Sequence, residues 1–275
     1  MFLSSCKSFI IMCVNHVRSV DLFNQAAALA YTTMFSLVPL IVIVLLLLGS
    51  LPVFSGFRVD VEQYLLSHLI IESVDSIKQY LVTFIYQAQS LSIGGLAVLA
   101  ISALLLFFEI GGAFDKIWQV NKVRKGYLST MLYVVFFLFV PVFFTCTIVF
   151  EYYIANFFHN INLITAIIIN SYTFLVSALI FSIFYIVIPS VKVKVTSAGF
   201  GGLIAATLFI LFRKVFVLYF SYFSNYKIIY GALYALPVFM LWLYLSWLII
   251  LFGAVVSYTA QSLRPVTQSL RPATR

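Results

Sequence analysis

LFNQAAALAYTTMFSLVPLIVIVLLLLGSLPVFSGF, Leu22 to Phe57, runs thirty-six residues without an Asp, Glu, Lys or Arg. A bilayer's hydrocarbon core is about 30 Å thick and a helix rises about 1.5 Å per residue, so roughly 20 apolar residues cross it. Five more long apolar runs follow before the tail. The 275 residues are 64% hydrophobic and only 9% charged, with mean hydropathy +1.12. A soluble chain carries about a quarter charged residues and has no core large enough to hide so much apolar surface. The expected fold is therefore all-α, a polytopic membrane bundle with about six transmembrane helices.

Working outward from the first run, the expected spans are 32–54, 92–113, 128–150, 164–189, 198–221 and 233–257. As one helix the opening run would measure about 54 Å, more than the bilayer needs. Its Gln25-Ala26-Ala27-Ala28 start is therefore expected to form an interfacial or packed elbow, begun by Asp21 facing the helix dipole, before Pro39 bends the span. Residues 57–90 change character, with Leu66, Ile70, Val74, Ile77, Leu81 and Phe84 at helical spacing and Glu62, Glu72, Asp75 and Lys78 between them. An amphipathic segment of this kind either lies on the outer leaflet or caps the bundle.

The formal charge of +8 reports topology before it reports a nucleic-acid partner. Lys7, Arg18, Lys116, Lys122, Arg124, Lys125, Lys192, Lys194, Arg264, Arg271 and Arg275 all fall on one side of a six-span bundle, whereas Arg58, Lys78 and Lys227 fall on the other. Because cytoplasmic loops retain Lys and Arg, both termini are expected in the cytoplasm. Residues 1–260 then make one transmembrane domain. The tail at 261–275 repeats Ser-Leu-Arg-Pro and is expected to be disordered. Cys6, Cys13 and Cys146 have neither metal-ligand spacing nor a disulfide framework. Only two residues precede Leu3-Ser4-Ser5-Cys6, and Phe9 to Val14 is too short for a signal core, so the amino terminus is expected to be retained.

Charges inside the spans are the candidate contacts. Arg213 and Lys214 interrupt the fifth span. They snorkel to headgroups, or Arg213 faces inward to pair with Glu151 at the end of the third span, or it binds a lipid phosphate. Glu109 is the single carboxylate of the second span; it serves as a helix-end or Lys116-paired group, or as a proton-coupling site. Gly199, Gly201 and Gly202 with Ala205 and Ala206 form one small face suited to close helix packing. Tyr219, Tyr222, Tyr226 and Tyr230 fit an interfacial belt, and Trp242 and Trp247 fit packing positions. His16, His68 and His159 lie in separate segments, and no phosphate loop or nucleophile elbow is present. Catalytic, cofactor and metal sites are therefore expected to be absent. Lys227 is nearly alone beside the tyrosines, which argues against a nucleic-acid groove.

Several ordered pieces resemble the YihY/BrkB family of bacterial inner-membrane proteins, once labelled ribonuclease BN. They are Ala26 to Tyr31 with Phe35 to Leu40, Ala113-Phe114-Asp115-Lys116-Ile117-Trp118, Tyr185 to Pro189, Tyr230-Gly231-Ala232-Leu233, Trp242-Leu243-Tyr244 and Gly253-Ala254. The resemblance covers about residues 20–260 of this chain, and Asp115 departs from the Asn associated with that position. It implies a multi-pass protein of the bacterial cytoplasmic membrane, with the amphipathic segment in the periplasm. Three functional expectations follow. The first is transport or distribution of a lipid or other amphiphile, with membrane lipids as partners. The second is a scaffold whose protein partners bind the basic loop or the periplasmic helix. The third, more remote, is a membrane-bound hydrolase.

Overall fold

The computed structural model describes residues 2–50, 93–120, 163–222 and 235–269, and these contain six helices and no strand. They are α1 (Phe2–Ser19), α2 (Leu22–Ser50), α3 (Ile93–Ile117), α4 (Leu163–Val187), α5 (Val195–Tyr222) and α6 (Ala235–Ser269). The all-α fold class is thus as expected. Segments Asn170–Val187, Val195–Tyr219 and Leu236–Leu263 are long and apolar enough to cross a membrane. The expected span at 128–150, the amphipathic segment at 57–90, Glu151 and the Lys122 to Lys125 loop lie outside the described residues.

Two compact units divide the chain, one of Met1–Tyr31 with Phe107–Arg275, the other of Thr32–Leu106. In the first, α5 packs along both α4 and α6, and α1 packs on α6. The seam is built from small residues. A Cβ on Gly202 would stand 2.7 Å from the Ala178 carbonyl oxygen, and one on Gly201 would stand 2.5 Å from the Gly253 carbonyl oxygen. Ala198, Ala205, Ala206 and Ala254 are fully buried along the same contacts. Lipid tails are as apolar as leucine, so this close backbone approach, with its dispersion contacts, holds the helices together. The small face read from the sequence is therefore the packed one, with Gly199 at its margin and nothing near its Cβ position.

The opening run differs from expectation in where it breaks. α2 is continuous from Leu22 through Pro39 to Ser50, and the break comes before it, at Asp21, whose φ of 52° is left-handed. Asp is among the few non-glycine residues that tolerate this conformation. Its carbonyl accepts the Gln25 N–H at 3.2 Å and its carboxylate accepts Asn24 Nδ2 at 2.7 Å, which starts α2. The alanine-rich start is packed, since Leu22, Ala26, Leu29 and Ala30 are all buried. At the other end of the chain, α6 runs on through Arg264 and Pro265 to Ser269.

Candidate functional site: a polar and aromatic knot

Four chain segments meet at one end of the first unit: the end of α1, the end of α3, the turn between α4 and α5, and the last third of α6. α3 stops at a left-handed residue, Gln119, with φ 52°. The Val120 N–H reaches back to the Asp115 carbonyl at 3.0 Å and the Gln119 N–H to the Lys116 carbonyl at 3.1 Å. This paired pattern is the Schellman stop, and it satisfies two of the helix's last carbonyls. The Ile117 carbonyl is left for a partner from elsewhere. His16 supplies it, with Nε2 2.8 Å from the Ile117 oxygen.

Because a carbonyl only accepts, Nε2 carries the proton, and this tautomer is assigned from the bond. The imidazole is buried and stacks on Tyr258 with centroids 4.3 Å apart and planes 13° from parallel. Burial lowers the His16 pKa from its ordinary 6.5, and the bond to Ile117 opposes this more weakly. Tyr258 in turn donates its hydroxyl to Gln119 Oε1 at 3.2 Å. Trp118 meets the same tyrosine edge-on at 6.4 Å. One tyrosine of α6 thus ties together α1 and the stop of α3.

Asp115, 5% exposed, holds the turn. Its Oδ1 accepts the Ser190 backbone N–H at 2.9 Å and its Oδ2 accepts the Ser190 hydroxyl at 2.8 Å. α4 has just ended at Val187, and Pro189 prevents its continuation. The freed backbone is then secured on α6, where Gln261 Oε1 accepts the Lys194 N–H at 2.9 Å. Behind Asp115, Phe114 is fully buried and lies 6.1 Å from Trp118 and 6.3 Å from Tyr185 between ring centroids. Tyr185, also fully buried, donates its hydroxyl to the Ile250 carbonyl at 2.8 Å. Gly253 is required there, because a Cβ would collide with the Tyr185 hydroxyl.

The residues read as candidates from sequence lie elsewhere. Arg213 and Lys214 are exposed on α5, and Glu109 is exposed on α3 between exposed Phe108 and exposed Gly112. None of the three belongs to the knot. Sequence reading missed His16, Trp118 and Tyr258 as a group because helical spacing carries no information about contacts 101 residues apart. Among the described residues, no three of His, Cys, Asp and Glu gather as a metal site would require. Cys13 is buried and free, and burial pushes its thiol pKa up while a hydrogen bond with Thr259 pulls it back. It is therefore an inert packing thiol.

The knot joins pieces that are far apart in sequence: Phe114 to Trp118, Tyr185 to Ser190, and Gly253 to Tyr258. A family model described as "Virulence factor BrkB" matches residues 13–275, which includes every one of them. The chain belongs to the BrkB family. It is 32% identical over 255 residues to a UPF0761 membrane protein of Legionella pneumophila (strain Corby), covering 92% of this chain and 62% of the relative. A UPF0761 membrane protein of Pseudomonas aeruginosa (strain LESB58) is 32% identical over 247 residues, covering 88% and 60%. One of Pseudoalteromonas atlantica is 28% identical over 264 residues, covering 94% and 88%. This BrkB-family membrane protein thus spans about three fifths of the length of the first two relatives. No solved structure matches it.

His16 offers a direct check of the knot. Docking holds the imidazole neutral, so its docked pKa lies below the free value of 6.5. The docking it supports is complete above pH 6.5 and weakens as the pH falls through and below that value. The protection of backbone amides over residues 7–19 against hydrogen exchange, taken relative to the intrinsic exchange rate at each pH, should fall between pH 7.5 and pH 5.5, and His16→Gln, which keeps a donor for Ile117, should flatten that dependence. A pH response unchanged in His16→Gln would assign it to another group.

Proposed function

We propose that this BrkB-family protein moves or distributes an amphiphile with an anionic headgroup in the bacterial cytoplasmic membrane, without catalysing a reaction. The observation that carries the reading is the cation pair Arg213 and Lys214. Both are exposed on α5, and Leu211, Val215, Val217 and Leu218 around them are 55–63% exposed. Two cations on an apolar, lipid-facing surface are expensive unless an anion meets them or their stems carry them to the headgroups. A phosphate does both, since guanidinium and ammonium groups bind it by charge-assisted hydrogen bonds. Arg213 stands eighteen residues beyond Val195, about 27 Å along the helix, which supports a position toward the leaflet opposite the knot.

The proposed orientation places the knot in the cytoplasm. Exposed Lys7, Arg18, Lys116, Lys192 and Lys194 flank it on three of the four segments it joins, which supports the positive-inside reading and a cytoplasmic amino terminus. Glu109, exposed on α3, is the proposed coupling carboxylate, its pairing with Lys116 being the structural alternative. The names of the relatives state that they are membrane proteins and nothing about a cargo.

Proteoliposomes test the proposal. Labelled phosphatidylglycerol should cross the bilayer faster with the protein than without it. Arg213→Ala with Lys214→Ala should slow that movement by about tenfold, the loss of one or two charge-assisted bonds of about 1.5–3 kcal/mol each being partly offset by solvation. Glu109→Gln should remove any pH dependence. Stable co-purification of a partner, with no lipid movement, would favour the scaffold reading.

A further inference from the structure

α1 carries a surface that neither the knot nor the proposed transport uses. Its packed side is narrow: Cys13 and His16 are buried, as is Val20 just past its end, and Phe9 and Val17 are half-buried. Phe9 meets Phe200 of α5 edge-on at 6.0 Å, Cys13 bonds Thr259, and His16 stacks on Tyr258 and bonds Ile117. These contacts also set the direction of the helix. Lys194 and Gln261 are joined, which aligns α5 with α6. From that level Phe200 lies six residues in, about 9 Å, and Tyr258 three residues in, about 4.5 Å. Phe9 and His16 are about 10 Å apart along α1, yet their partners differ in depth by only about 5 Å. α1 therefore runs across its neighbours near the start of α5 and near Leu263, where the apolar stretch of α6 ends, the level at which spanning segments reach headgroups.

Apart from Met12, exposed at about 260° from Cys13, the rest of the helix surface is sorted. At about 100° per residue, Ile10, Val14 and Ile11 fall about 60°, 100° and 160° around from Cys13, and Lys7 and Arg18 fall at about 120° and 140°. Ile10, Ile11 and Val14 are 45–56% exposed and both cations are exposed. Ser8, Asn15 and Ser19 follow at about 200–240°, and Phe2–Ser19 contains no acidic residue. Apolar side chains interleaved with cations, on a helix crossing the ends of spans, are what a lipid surface takes: the aliphatic groups enter the acyl boundary and the cations meet phosphates.

We propose that α1 is an interfacial anchor, with Ile10 and Val14 buried in lipid and Lys7 and Arg18 bound to anionic headgroups of the leaflet beside the knot. The anchor holds whichever cargo, if any, the bundle carries. Exposed Lys116, Lys192 and Lys194 at the same end enlarge the cationic surface. Each cation near an anionic surface adds on the order of fivefold to the attraction.

Spin labels on the full chain test this. Ile10→Cys, Val14→Cys and Asn15→Cys, each in a background with Cys6, Cys13 and Cys146 as serine, are placed in nanodiscs of phosphatidylcholine with one third phosphatidylglycerol. Labels at 10 and 14 should be relaxed by oxygen and shielded from a water-soluble nickel chelate, and the label at 15 should show the reverse. Nickel access at 10 and 14 overturns the proposal, and so does shielding of both from oxygen and nickel, which would mean a protein neighbour. Lys7→Glu with Arg18→Glu should raise nickel access at position 10 several-fold in these discs and leave it unchanged in phosphatidylcholine alone. An equal effect in both lipids overturns the anionic-headgroup contact, and the conservative Lys7→Arg with Arg18→Lys should restore the shielding.

Discussion

Asp115→Ala should destabilise the first unit by about 2–4 kcal/mol, read as a lower midpoint in detergent or denaturant unfolding. The carboxylate accepts two hydrogen bonds from Ser190, and removal strands a backbone N–H and a hydroxyl in a part-buried turn. Hydrogen bonds to a charged acceptor are worth roughly 1.5–3 kcal/mol each, and the stranded donors add a desolvation cost that partial exposure reduces. Asp115→Asn should be mild, under about 1 kcal/mol, because the amide oxygen keeps the Ser190 N–H while its NH2 can donate to a rotated Ser190 hydroxyl. Equal losses for the two variants would show that charge, and not hydrogen-bond count, holds the turn.

Gly202→Val should have the next largest effect, because its obstacle is backbone. A Cβ there meets the Ala178 carbonyl at 2.7 Å and the Ser182 nitrogen at 2.9 Å, neither of which a rotamer change can move. α4 and α5 would have to separate. Overpacking of a close seam costs typically about 1–3 kcal/mol even where side chains can yield, and more is expected here. Gly199→Val is the control: nothing lies near its Cβ position, so only helix propensity changes. A disulfide or crosslink assay between α4 and α5 should report lost proximity for the first variant alone. If both behave alike, the seam is looser than its distances state.

Much of the architecture was legible because it follows from local chemistry. The apolar runs marked α2 to α6 within a few residues at several of their ends, since length and hydropathy alone decide what can enter a bilayer. Gly201, Gly202, Ala205 and Ala206 announced the packed face of α5, because small residues at helical spacing leave a groove that a neighbouring backbone can fill. α1 was not legible: Phe9 to Val14 is too short to span, and its dense apolar surface serves both the knot and an exposed flank. The elbow's start at Asp21 was legible, whereas the continuity of the following alanine run with the rest of α2 was not.

The sequence by itself determined that this chain is a membrane-embedded helical protein with basic residues sorted along it, because partition between water and hydrocarbon acts on each residue where it stands. Only the tertiary structure decided that His16 caps the end of α3, that Asp115 clasps Ser190, and that Tyr258 joins α1 to the α3 stop. Those bonds depend on where left-handed residues end helices and leave carbonyls unmatched, and on which distant side chain the packing then brings within 3 Å of them.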